Sequence, residues 1–245
     1  MTKLICLTKR NLKEIIRDPL SLIFCLCLPV FMLVLMQIIF QNMSNVPNNF
    51  SIENYAFGIC IFGYTFTMMF VAMLIAQDKN TAFANRIAIA PISKFSYIFG
   101  YFLSAFPIVL GQTFLFLVIS LCFGMPFDIN FLLAFLYLIP SACLYILLGI
   151  FIGTICKNEK QTGPISSIII TLVGIFGGVF MPLDQIGGGL YTIINILPFS
   201  HSVEIASNLF TIGADCIYPH ILWLLGYSLL IIVLTYLLLR IQNKN

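Results

Sequence analysis

The stretch from Tyr55 to Lys79 reads YAFGICIFGYTFTMMFVAMLIAQDK. From Tyr55 to Gln77 it carries no charge, and it ends abruptly on Asp78 and Lys79. About 20 apolar residues in helical form cross the hydrocarbon core of a bilayer. Inside that core each backbone N–H and C=O must find a partner within the segment, so the run is a helix and not a strand. Working outward from it, five more apolar segments of comparable length lie at about 20–40, 97–123, 131–156, 163–182 and 219–239. The composition agrees: 60% of the 245 residues are hydrophobic, 9% are charged, and the mean hydropathy is +1.05. A soluble domain is about 25% charged, and one water-soluble core cannot hide this much apolar surface. A soluble enzyme and a disordered chain are both excluded. The sequence describes an all-α integral membrane protein of six transmembrane helices.

The basic residues orient it. Lys3, Lys9, Arg10, Lys13 and Arg17 precede the first span, and Lys79, Arg86 and Lys94 follow the second. Lys157 and Lys160 follow the fourth, while Arg240 and Lys244 follow the sixth. All twelve therefore fall on one side, and the alternate loops at about 41–54, 124–130 and 183–218 hold none. Random placement between loops of similar total length would do this on the order of once in ten thousand trials, so the positive-inside rule puts both termini in the cytoplasm. No Asp, Glu, Lys, Arg or His lies mid-span. Transporters driven by ions or protons usually bury such groups at membrane depth, so the energy source is expected elsewhere.

Residues 1–19 are a separate element. At 100° per residue Leu4, Ile5, Leu12, Ile15 and Ile16 share one arc, Lys9, Arg10, Lys13 and Arg17 the adjoining one, and Leu7 is misplaced. This predicts an amphipathic helix on the cytoplasmic membrane surface, broken by Asp18-Pro19. Residues 20–245 then form the membrane domain. Residues 183–218 are too hydrophobic for a solvated loop, and each apolar piece is too short to span. Leu190 to Leu197 and Phe199 to Phe210 read as a re-entrant helical pair between spans five and six, covered by protein.

Few motifs carry chemistry. Gly-Lys never occurs, so the chain has no P-loop, and no nucleophile–base pair is visible. The eight cysteines have no ligand-like spacing. His201 and Glu204 share a helical face at i, i+3, with Asp215 and His220 nearby. Without an HExxH, polar capping at the membrane surface is the favoured reading and no metal is expected. Gly149-x-x-x-Gly153 and Gly174-x-x-x-Gly178 are small-residue pairs that let helices approach closely, first of all within the bundle.

The connection from Asp78 through Arg86 and Ala90-Pro91-Ile92-Ser93 to Lys94 completes a recurring arrangement. It joins the N-terminal helix closed by Arg17-Asp18-Pro19, six spans, a Gly-rich fifth span, and Met181-Pro182-Leu183…Leu197-Pro198-Phe199. Together, over essentially the whole chain, these resemble the permease subunit of an ABC-2 type ABC exporter, with Asp78 where many relatives carry Glu. The resemblance implies a half-transporter. Two permease chains, identical or paralogous, would meet across a pathway lined by spans two and five. Tyr64, Thr67, Met68 and Phe176 are the pathway candidates. A separate nucleotide-binding subunit would bind ATP and Mg²⁺, and this chain itself would hold no cofactor. Asp78, Lys79, Arg86, Pro91, Ser93 and Lys94 would couple to it, and Lys9, Arg10, Lys13 and Arg17 would form the interface helix. The expected setting is the lipid bilayer of a bacterial plasma membrane, with no nucleic-acid partner. The cargo class implied is a drug, a peptide antibiotic or a lipid-like molecule. The alternative is a secondary transporter or another polytopic membrane protein not driven by ATP, the former disfavoured by the uncharged spans and by the lack of an inverted repeat.

Overall fold

The computed structural model describes residues 2–41, 52–83, 92–180, 189–211 and 217–242. The described residues are helical, joined by short turns, with no strand among them. In chain order the helices are α1 (Thr2–Arg17), α2 (Pro19–Gln41), α3 (Ile52–Lys79), α4 (Lys94–Cys122) and α5 (Ile129–Tyr137). They continue with α6 (Ile139–Ile155), α7 (Glu159–Phe176), α8 (Gly189–Ile196), α9 (Pro198–Thr211) and α10 (Ile217–Gln242). Each apolar segment of the sequence is mainly helical over its described residues.

Among the described residues four stretches are long and apolar enough to cross a membrane: Tyr55–Lys79, Lys94–Cys122, Ile129–Ile155 and Ile217–Gln242. The third is not one straight helix. It turns at Leu138, and Pro140 opens α6, where its missing N–H is harmless. Pro29 and Pro107 lie inside continuous helices. At the end of α4, Gly124 takes φ 93°, while its N–H bonds to the Leu121 carbonyl and the Met125 N–H to that of Ser120. This is a Schellman ending, and it needs a residue without Cβ.

The core is built around α3, which packs chiefly on α6 and α7 and then on α2, α9 and α4. The tightest approach runs through Gly149 and Gly153. A Cβ on Gly149 would lie 2.5 Å from the Met68 carbonyl oxygen, and one on Gly153 would lie 2.8 Å from that of Ala72. The first small-residue pair is thus an internal helix–helix seam, as the sequence suggested. Outward-facing side chains of α2, α4 and α10 are large and apolar, among them Phe31, Phe114, Leu222 and Leu229. In water such a surface would aggregate; against lipid tails it is the expected exterior.

The N-terminal helix departs from a simple surface anchor. Leu7, Asn11 and Ile15 form a buried stripe at i, i+4, i+8 and pack on α4, with Leu7 seated over Gly100. Leu7 was misplaced on the lipid arc because it belongs to this second, inward face. Ile5 and Ile16 remain exposed, as do Lys9, Lys13 and Arg17.

Candidate functional site

The polar groups of α1, α3 and α4 converge where α3 ends. Arg10 forms a two-pronged ion pair with Asp78: Nη2 donates to Oδ1 at 2.7 Å and Nη1 donates to Oδ2. The Tyr101 hydroxyl of α4 donates to Oδ2 of the same carboxylate at 2.5 Å. Asp78 is 6% exposed, so three charge-assisted bonds stand in for its lost hydration. The outer face of the guanidinium lies 3.8 Å from the centre of the Phe83 ring, and Glu14 sits 3.9 Å away on the next turn of α1. Burial works against the Arg10 charge, but the Asp78 carboxylate more than offsets it and holds the guanidinium above its ordinary value.

Lys79, one residue on, turns the other way. Its ammonium donates to the Cys156 carbonyl at 3.0 Å and to that of Thr154. The last carbonyls of α6 lack partners inside their own helix and carry the negative end of its dipole, so a lysine is favoured there. Asn80 extends the same seam to Lys157 at 3.2 Å, and Gln242 from α10 donates to Thr154 at 3.0 Å. Two consecutive residues thus fasten α3 to α1 and α4 on one side and to α6 on the other. Ser93 caps α4 by accepting the Ser96 N–H at 3.1 Å. Lys94 lies 5.8 Å from the Tyr236 ring. Arg86 and Pro91 lie outside the described residues.

Of the four interface bases, Lys9, Lys13 and Arg17 face outward while Arg10 turns inward to Asp78. The pathway candidates on α3 face the chain's own core. Tyr64 shares a 2.7 Å hydrogen bond with Thr113, Thr67 donates to Gln112 at 2.9 Å, and the Met68 backbone lies against Gly149. The face of α3 left partly open carries Phe66, Met69, Met73 and Gln77 instead. Met73 and Gln77 line a recess with Glu14, Arg17, Asp18 and Glu159. Phe176 is half-buried at the end of α7. Tyr101 was missed by sequence reasoning, since a tyrosine within an apolar run gives no local signal of a partner 23 residues away.

The comparisons with known proteins fit this arrangement. The chain is 23% identical to "ABC transporter G family member 20" of Dictyostelium discoideum over 205 residues, covering 81% of this chain and 28% of that protein. It is 29% identical to "ABC transporter G family member 23" of the same organism over 129 residues, 52% of this chain and 18% of the relative. Against "Putative transport permease ycf38" of Cyanophora paradoxa it is 26% identical over 241 residues, 93% of this chain and 78% of that one. The chain spans less than a third of the length of the two Dictyostelium proteins. A family model described as ABC-2 type transporter matches residues 2–211, so this multi-pass membrane protein belongs to the ABC-2 type transporter family.

Proposed function

We propose that the chain is the membrane-spanning permease subunit of an ATP-driven exporter. ATP and Mg²⁺ bind in a separate nucleotide-binding subunit, which docks beneath α1 and the connection from Asp78 to Lys94. The observation that carries this reading is the Arg10–Asp78–Tyr101 cluster. It ties the helix carrying the exposed bases to the ends of α3 and α4, so a push from below reaches both helices as one body. Six spans formed by α2, α3, α4, α5 with α6, α7 and α10, with both ends cytoplasmic, agree with the twelve-to-none division of Lys and Arg. At 1.5 Å per residue the 23 residues of α2 reach roughly 34 Å, enough to span. Helices α8 and α9 dip into the outer leaflet as a re-entrant pair. The half-open stripe of Phe66, Met69, Met73 and Gln77 faces a second permease chain, identical or paralogous, across the pathway. Flexible methionines beside aromatics suit an amphipathic cargo such as a drug, a peptide antibiotic or a lipid-like molecule. The setting we propose is a plasma membrane, with a bacterial one expected from the sequence reading.

The test is Asp78→Asn in the complex reconstituted with its nucleotide-binding subunit. The amide keeps the shape and removes the charge that holds Arg10. Basal ATP hydrolysis should persist, while cargo-stimulated hydrolysis and transport fall at least tenfold, about 1.4 kcal/mol of coupling. A folded variant with unchanged transport would exclude the cluster as the transmission point. Transport by the wild type on a proton gradient without ATP would overturn the exporter reading altogether.

A further inference from the structure

At the end of α10 opposite Arg240, a second polar cluster joins α9 to α10. The Nδ1 atoms of His201 and His220 lie 2.8 Å apart, and Oε2 of Glu204 is 3.1 Å from His220 Nδ1 and 3.7 Å from His201 Nδ1. His201 is 7% exposed, stacks on Trp223 with ring centres 5.5 Å apart, and has no hydrogen-bond partner on its buried Nε2 among the described residues. The polar contacts of this ring are therefore made within the cluster.

Protons alone serve this triangle poorly. Each ring nitrogen carries at most one hydrogen. If His201 donates to His220, the His220 lone pair faces the carboxylate oxygen at 3.1 Å. If His220 donates, its one hydrogen must serve both His201 and Glu204. A cation takes all three lone pairs at once. The triangle has a circumradius of about 1.9 Å, so an ion slightly off its plane sits about 2.0–2.1 Å from every corner, the usual zinc–imidazole and zinc–carboxylate distance. Two imidazoles and one carboxylate suit Zn²⁺ or another first-row transition cation and not Mg²⁺ or Ca²⁺.

We propose that His201, Glu204 and His220 form a Zn²⁺ site that fastens the α8–α9 pair to α10, with the fourth coordination position left to water. Tyr227, one turn below Trp223, already ties α10 to the end of α8 through the Ile196 carbonyl at 2.5 Å. The ion therefore adds a tie from α9 to α10 beside the existing tie from α8. This site does not depend on the exporter reading, because it concerns binding and not transport.

The experiment uses the full chain in lipid nanodiscs, stripped with EDTA and titrated with Zn²⁺ against a chromophoric chelator. One equivalent should bind at about a micromolar or tighter, and His201→Ala or His220→Ala should each weaken it at least tenfold. Because either variant could fold poorly, Co²⁺ is added to the wild type as a second readout. Nitrogen and oxygen ligation gives tetrahedral d–d bands with no thiolate charge-transfer band. Unchanged Zn²⁺ affinity in a monodisperse His201→Ala/His220→Ala chain would overturn the site. So would a thiolate band, which would assign the ion to the exposed cysteines Cys6, Cys27 or Cys122. Failure to bind Zn²⁺ at about ten times the expected dissociation constant would overturn it equally.

Discussion

Helices α3 and α10 have nearly equal hydropathy and similar length, yet they occupy opposite extremes of the molecule. Within the chain 83% of the most apolar stretch of α3 is buried, against 22% of that of α10. The difference lies in side-chain size and in polar atoms. Helix α3 carries Gly58, Gly63, Ala72 and Ala76 together with Tyr64, Thr65 and Thr67; α4 comes close enough to bond the Tyr64 and Thr67 hydroxyls, while that of Thr65 donates to the Phe62 carbonyl of its own helix. Helix α10 keeps a narrow inner stripe of Leu224, Ser228, Ile231 and Thr235 and turns Leu222, Leu225, Leu229 and Leu230 outward. In a bilayer, apolar area does not drive one helix against another, because lipid solvates leucine as well as protein does. Position in the bundle follows small residues and hydrogen bonds, which hydropathy does not measure.

The largest effect expected from this contrast is at the α3–α6 seam. Gly149→Ala places a methyl group 2.5 Å from the Met68 carbonyl oxygen, which is backbone and cannot swing aside. Separating the two helices should cost about 3 kcal/mol or more. The variant should fail to accumulate as a monodisperse species on size exclusion. Gly226→Ala on α10, which meets nothing within 4 Å, should behave as the wild type. Similar behaviour of the two variants would refute α3 as the packed centre.

Next comes the ion pair where α3 ends. Arg10→Ala leaves Asp78 buried with Tyr101 as its remaining partner in the cluster. Removing one side of a buried pair costs several kcal/mol, but the Arg10 side chain is 28% exposed and water can partly replace it, so about 2 kcal/mol is expected. Thermal unfolding in nanodiscs measures it. The double variant Arg10→Ala/Asp78→Ala should recover part of the loss, since no lone charge then remains. Tyr101→Phe deletes one bond to the carboxylate and should cost about 1 kcal/mol by the same assay.

Much of this was legible in the sequence, and the reasons are specific. Uncharged runs bounded by Asp78-Lys79 and Ser93-Lys94 located helix ends to within a few residues, because charged groups stop at the headgroups. The pair Gly149 and Gly153 announced a close seam through spacing alone. Which face of α3 points inward was not legible. That helix is apolar on all sides, so it has no amphipathic period, and Tyr64, Thr67 and Met68 looked as open as Phe66 and Met73. The Arg10–Asp78 pair bridges 68 positions, and the His201–His220 contact joins α9 to α10 across 19. No local spacing encodes either. Leu7 was a readable clue: an apolar residue off the lipid arc marked the second face of α1.

The smallest effect belongs to the outer face of α10, and its smallness is the sharpest test of the comparison. Leu229 is 66% exposed. In water-soluble cores, truncating a buried leucine to alanine costs about 2–5 kcal/mol through lost transfer energy and a cavity. Neither term applies to a side chain bathed in acyl tails. Lipid fills the space that the side chain leaves, and the apolar surface stays in an apolar medium. Leu229→Ala should therefore shift stability by less than about 0.5 kcal/mol and leave assembly unchanged. A loss above about 1 kcal/mol would mean that protein and not lipid covers Leu229, and would move the proposed second permease chain from the open stripe of α3 to α10. Cysteine cross-linking at Leu229 and at Met73 then decides between the two faces, with an intermolecular product expected at Met73 alone.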